Sequence, residues 1–176
     1  IPIPHKIGKS EDTPIIDKIF RQWIGDNFML LYEWIAYCLV DSYPIHRMLI
    51  LFGSGRNGKG QYADLVMRFI GMENTTAIEL ERLIESRFEA VKLYRKKVAL
   101  VDETNFNAIK NTARIKAITG ASPIGAEWKG KDAFDFYNTA KVMILTNNLP
   151  ESLDKTEAFY GRCIIQEFKN RFDEGK

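Results

Sequence analysis

The sequence predicts an α/β fold with a mainly parallel central sheet flanked by helices, a β-hairpin insertion and a small N-terminal helical region. Three strands of the type buried on both faces are predicted at residues 46–52, 98–101 and 141–145, because each contains a short continuous apolar run: residues 48–52, 98–101 and 142–145. Segments with apolar residues at helical spacing separate these runs. Two short strand-like segments, residues 124–128 and 134–137, flank a polar turn and indicate the hairpin.

Composition places the chain among ordinary globular domains. It has 176 residues, of which 45% are hydrophobic and 27% are charged. No apolar run approaches the roughly 20 residues that a membrane span needs. The net charge of +2 is too small to indicate nucleic-acid binding by itself. Cys38 and Cys163 stand far apart without nearby ligand spacing, so we expect a reducing, cytoplasmic setting rather than a disulfide framework or zinc site.

The chain divides into four predicted parts. Residues 1–13 read as a linker or arm, 14–42 as a helical region, 43–170 as the core and 171–176 as a tail. The helical region is expected to hold two helices broken at residues 25–27. Trp23 and Trp34 lie at helical spacing there, which favours core packing over a base-stacking role. Because the first residue is Ile1, we expect a fragment of a longer protein.

A glycine-rich stretch follows the first strand and precedes a helix. It reads Gly53, Ser54, Gly55, Arg56, Asn57, Gly58, Lys59 and Gly60, and Gln61 follows. The pattern G-x-x-x-x-G-K predicts a phosphate-binding loop, because glycines let backbone N–H groups approach phosphates and the lysine adds a charge. Gly60 stands where a metal-binding Ser or Thr is usual, so that hydroxyl is missing.

Polar residues end two further predicted strands. Asp102 and Glu103 follow residues 98–101, and Asn147 follows residues 141–145. At a nucleotide site Asp102 can hold Mg²⁺ and Glu103 can activate water, while Asn147 can reach the γ-phosphate. A solvated pair of loop carboxylates is the alternative interpretation of the two acids.

Helices are expected between these strands. Thr76 and Glu79 resemble a capping box that opens a helix extending through Val91. A second helix is predicted over residues 107–118, closed by Gly120. The hairpin turn carries Lys129 and Lys131, which could contact phosphates or simply be solvated.

Several linked motifs together resemble the superfamily 3 helicases, in particular the phage, plasmid and poxvirus primase-helicase branch. They are Gly53-x-Gly55-x-Asn57-Gly58-Lys59, then Val101-Asp102-Glu103, Thr119-Gly120 and Leu145-Thr146-Asn147-x-x-Pro150. The resemblance covers residues 46–168. It implies an AAA+ ATPase core that forms a hexameric ring around single- or double-stranded DNA, with ATP and Mg²⁺ between subunits. A primase domain in the full-length chain, and host cytoplasm as the setting if the source is viral, would also fit.

The resemblance assigns roles to individual residues. Lys59 would bind the β- and γ-phosphates, Asp102 and Glu103 would hold Mg²⁺ and activate water, and Asn147 would be the polar sensor. Arg162 would be the arginine finger, offered to the nucleotide of a neighbouring subunit, although a surface ion pair is the alternative. Lys129 and Lys131 would hold the nucleic-acid backbone.

Three other functions remain open at this point. One is an AAA+ NTPase that remodels proteins without acting on DNA. Another is a small nucleotide kinase, although an arginine-rich lid is not visible in the sequence. The third is an inactive domain that uses nucleotide only for assembly, and Gly60 keeps that alternative open.

Overall fold

The computed structural model describes residues 13–102, 112–148 and 161–173. Its helices are α1 (Pro14–Ile24), α2 (Met29–Leu39), α3 (Lys59–Ile70), α4 (Leu80–Glu85), α5 (Arg87–Ala90) and α6 (Thr112–Lys116). Its strands are β1 (Met48–Phe52), β2 (Thr75–Ala77), β3 (Val98–Val101), β4 (Ile124–Glu127), β5 (Ala133–Phe136), β6 (Lys141–Thr146) and β7 (Cys163–Glu167). The predicted arm before Thr13, Glu103, residues 107–111 of the predicted helix and Pro150 lie outside the described residues.

A five-stranded sheet with the strand order β2-β3-β6-β1-β7 forms the centre of the fold. All four neighbouring pairs are parallel. The predicted α/β class with a mainly parallel sheet is therefore confirmed. Strand β1 lies between β6 and β7. Strands β2, β3 and β6 lie on one side of β1, and β7 lies on its other side. The carboxyl end of such a strand borders the crevice where ligands bind in open α/β sheets.

Two hydrophobic layers cover the sheet because successive strand residues face opposite sides. In β1, Met48 and Ile50 pack with α4, α5, α6 and the hairpin. Leu49 and Leu51 pack instead with α1, α2 and α3. The same alternation in β6 explains why these strands read as continuous apolar runs.

The N-terminal helical region has the two predicted helices. Gly25, with φ 71°, follows α1, and a short 3-10 turn leads into α2. Phe20 and Leu31 are buried against α3, where the Tyr62 hydroxyl donates to the Leu31 carbonyl (2.8 Å). These contacts attach the helical region to the helix that follows the phosphate loop.

The predicted capping box at Thr76 is wrong. Thr76 lies in β2, paired in register with Ala99 of β3, so strand pairing overrides the local helix signal. The predicted single helix is also broken at Ser86, which has extended backbone angles and separates α4 from α5. Its hydroxyl accepts the N–H of Phe88 (3.2 Å), which caps α5. The first strand begins at Met48, because His46 has a positive φ of 49°.

Strands β4 and β5 form the predicted antiparallel hairpin. Phe134 and Phe136 pack edge-on against Tyr94, with ring centroids 5.2 and 5.4 Å away. An ion pair between Arg87 and Glu127 (2.7 Å) fastens the hairpin to α5. Helix α6 leads into a distorted turn in which Gly120 has a φ of 85°, consistent with the predicted helix end.

Candidate nucleotide-binding site

The phosphate loop, residues 53–60, joins β1 to α3 at the carboxyl edge of the sheet. Gly58 has a φ of 94°, and a Cβ built on it would lie 2.3 Å from Trp23 Nε1. A Cβ on Gly53 would lie 2.1 Å from Asn57 Nδ2 and 2.5 Å from the Phe168 carbonyl. Glycine is required at both positions because neighbouring groups fill the space a side chain would need.

Lys59 is the first residue of α3, and its side chain folds back over the loop. The side-chain amine donates to the Gly53 carbonyl (2.7 Å) and to Asn57 Oδ1 (3.1 Å). A longer contact of 3.5 Å reaches Asn147 Oδ1. Burial lowers the pKa of Lys59, while the charge of Asp102 opposes this shift. The loop therefore holds one ammonium group beside the place where backbone N–H groups and a helix N-terminus converge.

The segment after β7 holds the outer side of the loop. Asn57 Nδ2 donates to the Phe168 carbonyl (3.0 Å), and the N–H of Phe172 donates to the Arg56 carbonyl (2.7 Å). Asn170 Nδ2 donates to the Gln22 carbonyl in α1 (2.5 Å). These bonds fix the loop conformation from a part of the chain distant in sequence.

A cleft of about 360 Å³ lies over the loop. Its lining comprises Gly55, Arg56, Asn57, Gly58, Lys59, Gly60, Gln61, Asp102, Leu145, Thr146 and Asn147. Three strand ends, those of β1, β3 and β6, thus contribute to one concave site. The structure brings Lys59, Asp102 and Asn147 together as the strand pattern predicts, whereas Ser54 is exposed and outside the lining. Glu103 lies outside the described residues.

Gly60 leaves open the space that a hydroxyl side chain would occupy. A Cβ built at this position meets no heavy atom within 4 Å. Among the described residues, three or more His, Cys, Asp or Glu side chains do not cluster as a metal site. Magnesium in nucleotide sites is commonly held by one or two carboxylates together with phosphates and waters. Asp102 in the cleft fits that arrangement, with one protein ligand fewer than a Ser or Thr at position 60 would supply.

Arg162 lies at the amino ends of the parallel strands, opposite the carboxyl ends that border the cleft. Its carbonyl accepts the N–H of Met48 at the start of β1 (2.8 Å), and its Nη1 donates to Thr119 Oγ1 (3.1 Å). The five residues of β1, each rising about 3.3 Å, separate this edge from the phosphate loop. The structure therefore does not bring Arg162 into the cleft of its own chain.

Lys129 and Lys131 are exposed on the turn of the hairpin. Gly130 between them has a φ of 76°, and the N–H of Lys131 closes the turn on the Trp128 carbonyl (3.0 Å). Trp128, 45% exposed, adds an aromatic side chain beside the two ammonium groups. The sequence pattern predicts a role for the two lysines but assigns none to Trp128.

Two more features of the site escaped prediction. Trp23, interpreted as core, lies against the phosphate loop at Gly58, and Phe172, placed in the tail, lies beside Arg56. Both belong to a second cleft next to the loop. No local spacing signals this, because the two aromatic residues meet only after α1 and the β7 segment pack around the loop.

A parallel sheet with a glycine-rich phosphate loop after its central strand, and polar residues at two neighbouring strand ends, defines a P-loop α/β protein with a helicase-like fold. The chain belongs to a protein family described as a family of unknown function (DUF5906), whose model matches residues 51–163. The match includes the phosphate loop, Asp102, the hairpin and Asn147.

Solved structures with a similar fold include the C-terminal region of NrS-1 and JCV helicase. An apo structure of the C-terminal region of NrS-1 superposes with a TM-score of 0.74 at 18% identity, covering 97% of this chain and 42% of that one. Another, the A form, gives 0.72 at 20% identity, covering 97% and 41%. JCV helicase, with a bound small molecule, gives 0.53 at 14% identity, covering 92% and 47%. This chain spans less than half the length of these structures, and at such identities the likeness shows the fold.

None of the helices in the described residues has both the length and the apolar character that crossing a membrane requires.

Proposed function

We propose that this chain is the ATP-hydrolysing motor of a superfamily 3 DNA helicase, of the primase-helicase kind. The observation that carries the proposal is the meeting of Lys59, Asp102 and Asn147 around one cleft over the phosphate loop. The helicase-like fold supports it.

The loop and Lys59 would bind the phosphates of ATP. Backbone N–H groups at the start of α3 and the Lys59 ammonium group place positive charge where the triphosphate carries negative charge. Asn147, 3.5 Å from the Lys59 amine, is positioned to donate its amide to the terminal phosphate. Asp102 would hold Mg²⁺ directly or through water, and Glu103 is proposed to accept the proton of the attacking water. Bound Mg²⁺ would neutralise the charge that develops on the phosphate oxygens.

Hydrolysis in this proposal requires a neighbouring copy of the chain. Arg162 lies a strand length from the cleft of its own chain, so an arginine finger at this position could act only across a subunit interface. A hexameric ring is the assembly we propose, because it repeats such an interface in a closed form. The Thr119 bond would hold the guanidinium in place until a neighbour docks.

The exposed hairpin would contact DNA. Lys129 and Lys131 carry charge on a turn that projects from a rigid two-stranded base, and Trp128 offers a face for base stacking. Contact through the phosphates would be independent of sequence and weakened by salt. Several hairpins in one ring would act together, which compensates for the small net charge.

A nucleotide-dependent assembly module with little turnover is the second candidate. It is favoured by Gly60, which removes one expected ligand of the metal. A protein remodeller of the same fold would be distinguished by its indifference to DNA.

Mixing two inactive variants tests the shared site. Lys59→Met should bind nucleotide poorly and keep its finger, whereas Arg162→Ala should bind nucleotide and lose about a thousandfold in hydrolysis. A mixture should regain ATPase activity, because some interfaces would pair an intact loop with an intact Arg162. Two inactive variants that stay inactive when mixed, although both assemble, would contradict catalysis between subunits.

A second measurement separates the helicase from the remodeller. ATPase activity per subunit should rise with protein concentration and with single-stranded DNA. Replacing both Lys129 and Lys131 by Ala should remove the DNA response and leave the basal rate. The control replaces Lys18 and Lys92, two exposed lysines that are not part of the hairpin, and makes the same change of charge. A DNA response that survives the hairpin change would overturn the proposed DNA contact.

A further inference from the structure

A second cleft adjoins the phosphate loop on the side away from Asp102 and Asn147. Its volume is about 400 Å³, and it is lined by Trp23, Arg56, Gly58, Gln61 and Phe172. Arg56, Gly58 and Gln61 also line the first cleft, so the two spaces meet along the loop. The second cleft differs in having two aromatic side chains in its wall.

The two connected clefts differ in chemistry, and this difference sets the orientation of a bound nucleotide. Asp102 and Asn147 lie at the ends of β3 and β6, on one side of β1. The Asn147 amide can donate to a terminal phosphate, and Asp102 would hold the Mg²⁺ that accompanies the phosphates. Trp23 and Phe172 lie on the other side, next to the segment that follows β7. A nucleoside polyphosphate with its terminal phosphates toward β3 and β6 therefore carries its base toward the aromatic pair.

Contacts with the rest of the protein hold both aromatic residues in place. Trp23 stacks on Phe20 (ring centroids 5.6 Å apart) and lies against Phe168 (5.8 Å). Phe172 is fixed through its backbone, because its N–H donates to the Arg56 carbonyl (2.7 Å). Its side chain remains 42% exposed, so the ring has a free surface in the cleft.

We propose that this second cleft is the nucleobase site, in which the base stacks against Trp23 and Phe172. This inference rests on the proposed nucleotide binding of the phosphate loop and adds the recognition of the base. The polar side chains in the wall are those of Arg56 and Gln61, both exposed at the loop surface. Stacking therefore supplies most of the base affinity, and larger purine bases bind more tightly than pyrimidines with little distinction between adenine and guanine.

Calorimetric titration with ADP and with inorganic pyrophosphate tests the site, because the two ligands differ by the nucleoside. ADP should bind the unaltered protein more tightly than pyrophosphate does. Phe172→Ala should weaken ADP binding by about 5- to 150-fold, the range of a lost aromatic stack, and leave pyrophosphate binding unchanged. Trp23→Phe should have a smaller effect in the same direction. Phe69→Ala, which removes a 62% exposed phenyl group elsewhere on α3, is the matched control.

Tryptophan fluorescence gives an independent reading. In a Trp128→Phe background the remaining tryptophans are Trp23 and the buried Trp34. ADP should quench the emission of this protein, and pyrophosphate should not. Equal changes with both ligands would contradict a base stacked on Trp23.

The outcomes separate the two proposals. If pyrophosphate binds, ADP binds no more tightly and Phe172→Ala changes neither, the nucleobase site is overturned and the phosphate site stands. Failure of both ligands to bind the folded protein would overturn both.

Discussion

Lys59 and Lys141 lie at opposite edges of the same sheet, and both are buried. Lys59 is 7% exposed at the carboxyl edge, and Lys141 is fully buried at the start of β6 on the amino edge. Burial lowers the pKa of both amines, that of Lys141 to about 8. Burial and a lowered pKa therefore do not by themselves distinguish a functional lysine from a structural one.

The surroundings of the two amines differ. Lys141 donates to the carbonyls of Val40, Ser42 (2.7 Å) and Thr139 (2.9 Å). Its ammonium group also lies 4.9 and 5.4 Å from the ring centroids of Tyr37 and Tyr43. Carbonyl groups and rings enclose the charge and connect the end of the helical region to the sheet.

Lys59 also donates to a backbone carbonyl, yet its amine borders an open cleft. A charge beside open volume can exchange a protein acceptor for a ligand oxygen, whereas an enclosed charge cannot. The open cleft, rather than the degree of burial, therefore distinguishes the lysine that we propose binds a ligand.

The largest expected effect is the loss of nucleotide binding in Lys59→Met. Removal of the ammonium group should weaken ADP binding by about 100-fold, since a charged hydrogen bond to phosphate is lost. The melting temperature should change little. Titration calorimetry with ADP measures the first quantity and calorimetric melting the second. Unchanged ADP affinity would contradict the role given to Lys59.

Lys141→Met should have the converse effect. It should reduce the free energy of unfolding by about 2 kcal/mol, because buried carbonyl groups lose their donor. ADP affinity should be retained at temperatures where the variant is folded. Urea denaturation checks stability, and Lys59→Met is the control with the same chemical change at the other edge. A loss of ADP binding in a folded Lys141→Met protein would contradict a purely structural role for Lys141.

Gly60→Ser should produce a smaller, favourable effect beside Lys59. The open space at Gly60 admits the side chain, and its hydroxyl adds a ligand for Mg²⁺. We expect the Mg²⁺ concentration for half-maximal ADP binding to fall by about 3- to 10-fold.

Gly60→Ala is the matched control, because it adds the Cβ and the helix propensity without the hydroxyl. An equal improvement in both variants would assign the effect to the helix rather than to the metal.

The smallest expected effect is a pH dependence of ADP binding. The charged form of Lys59 binds phosphate, and burial lowers its pKa, so affinity should decline as pH rises toward the ordinary lysine value of 10.5. Between pH 7.5 and 9.5 we expect a change of about threefold or less. Titrations at several pH values should show this decline in the unaltered protein and lack it in Lys59→Met. A decline of equal size in both proteins would assign it to another group.

Local sequence patterns are enough to predict the parallel sheet, the residues at its strand ends and the hairpin. The apolar runs of β1, β3 and β6 predicted a parallel sheet because both faces of those strands must be buried. Because parallel strands share their carboxyl edge, the same pattern predicted that Lys59, Asp102 and Asn147 would meet. The hairpin could also be predicted from neighbouring residues, because two short strand-like segments and a polar turn suffice to specify it.

Other features depend on contacts between segments that are distant in the chain, so they follow from the tertiary structure. Thr76 joined a strand because β3 offered backbone partners that the local helix signal could not outweigh. Arg162 lies a strand length from the cleft because β7 pairs in parallel register with β1. Trp23 and Phe172 line one cleft beside the loop only after helix α1 and the segment following β7 have packed around it. Sequence periodicity specifies which face of each helix or strand is buried. Which two of these faces pack against each other depends on the packing of the whole domain.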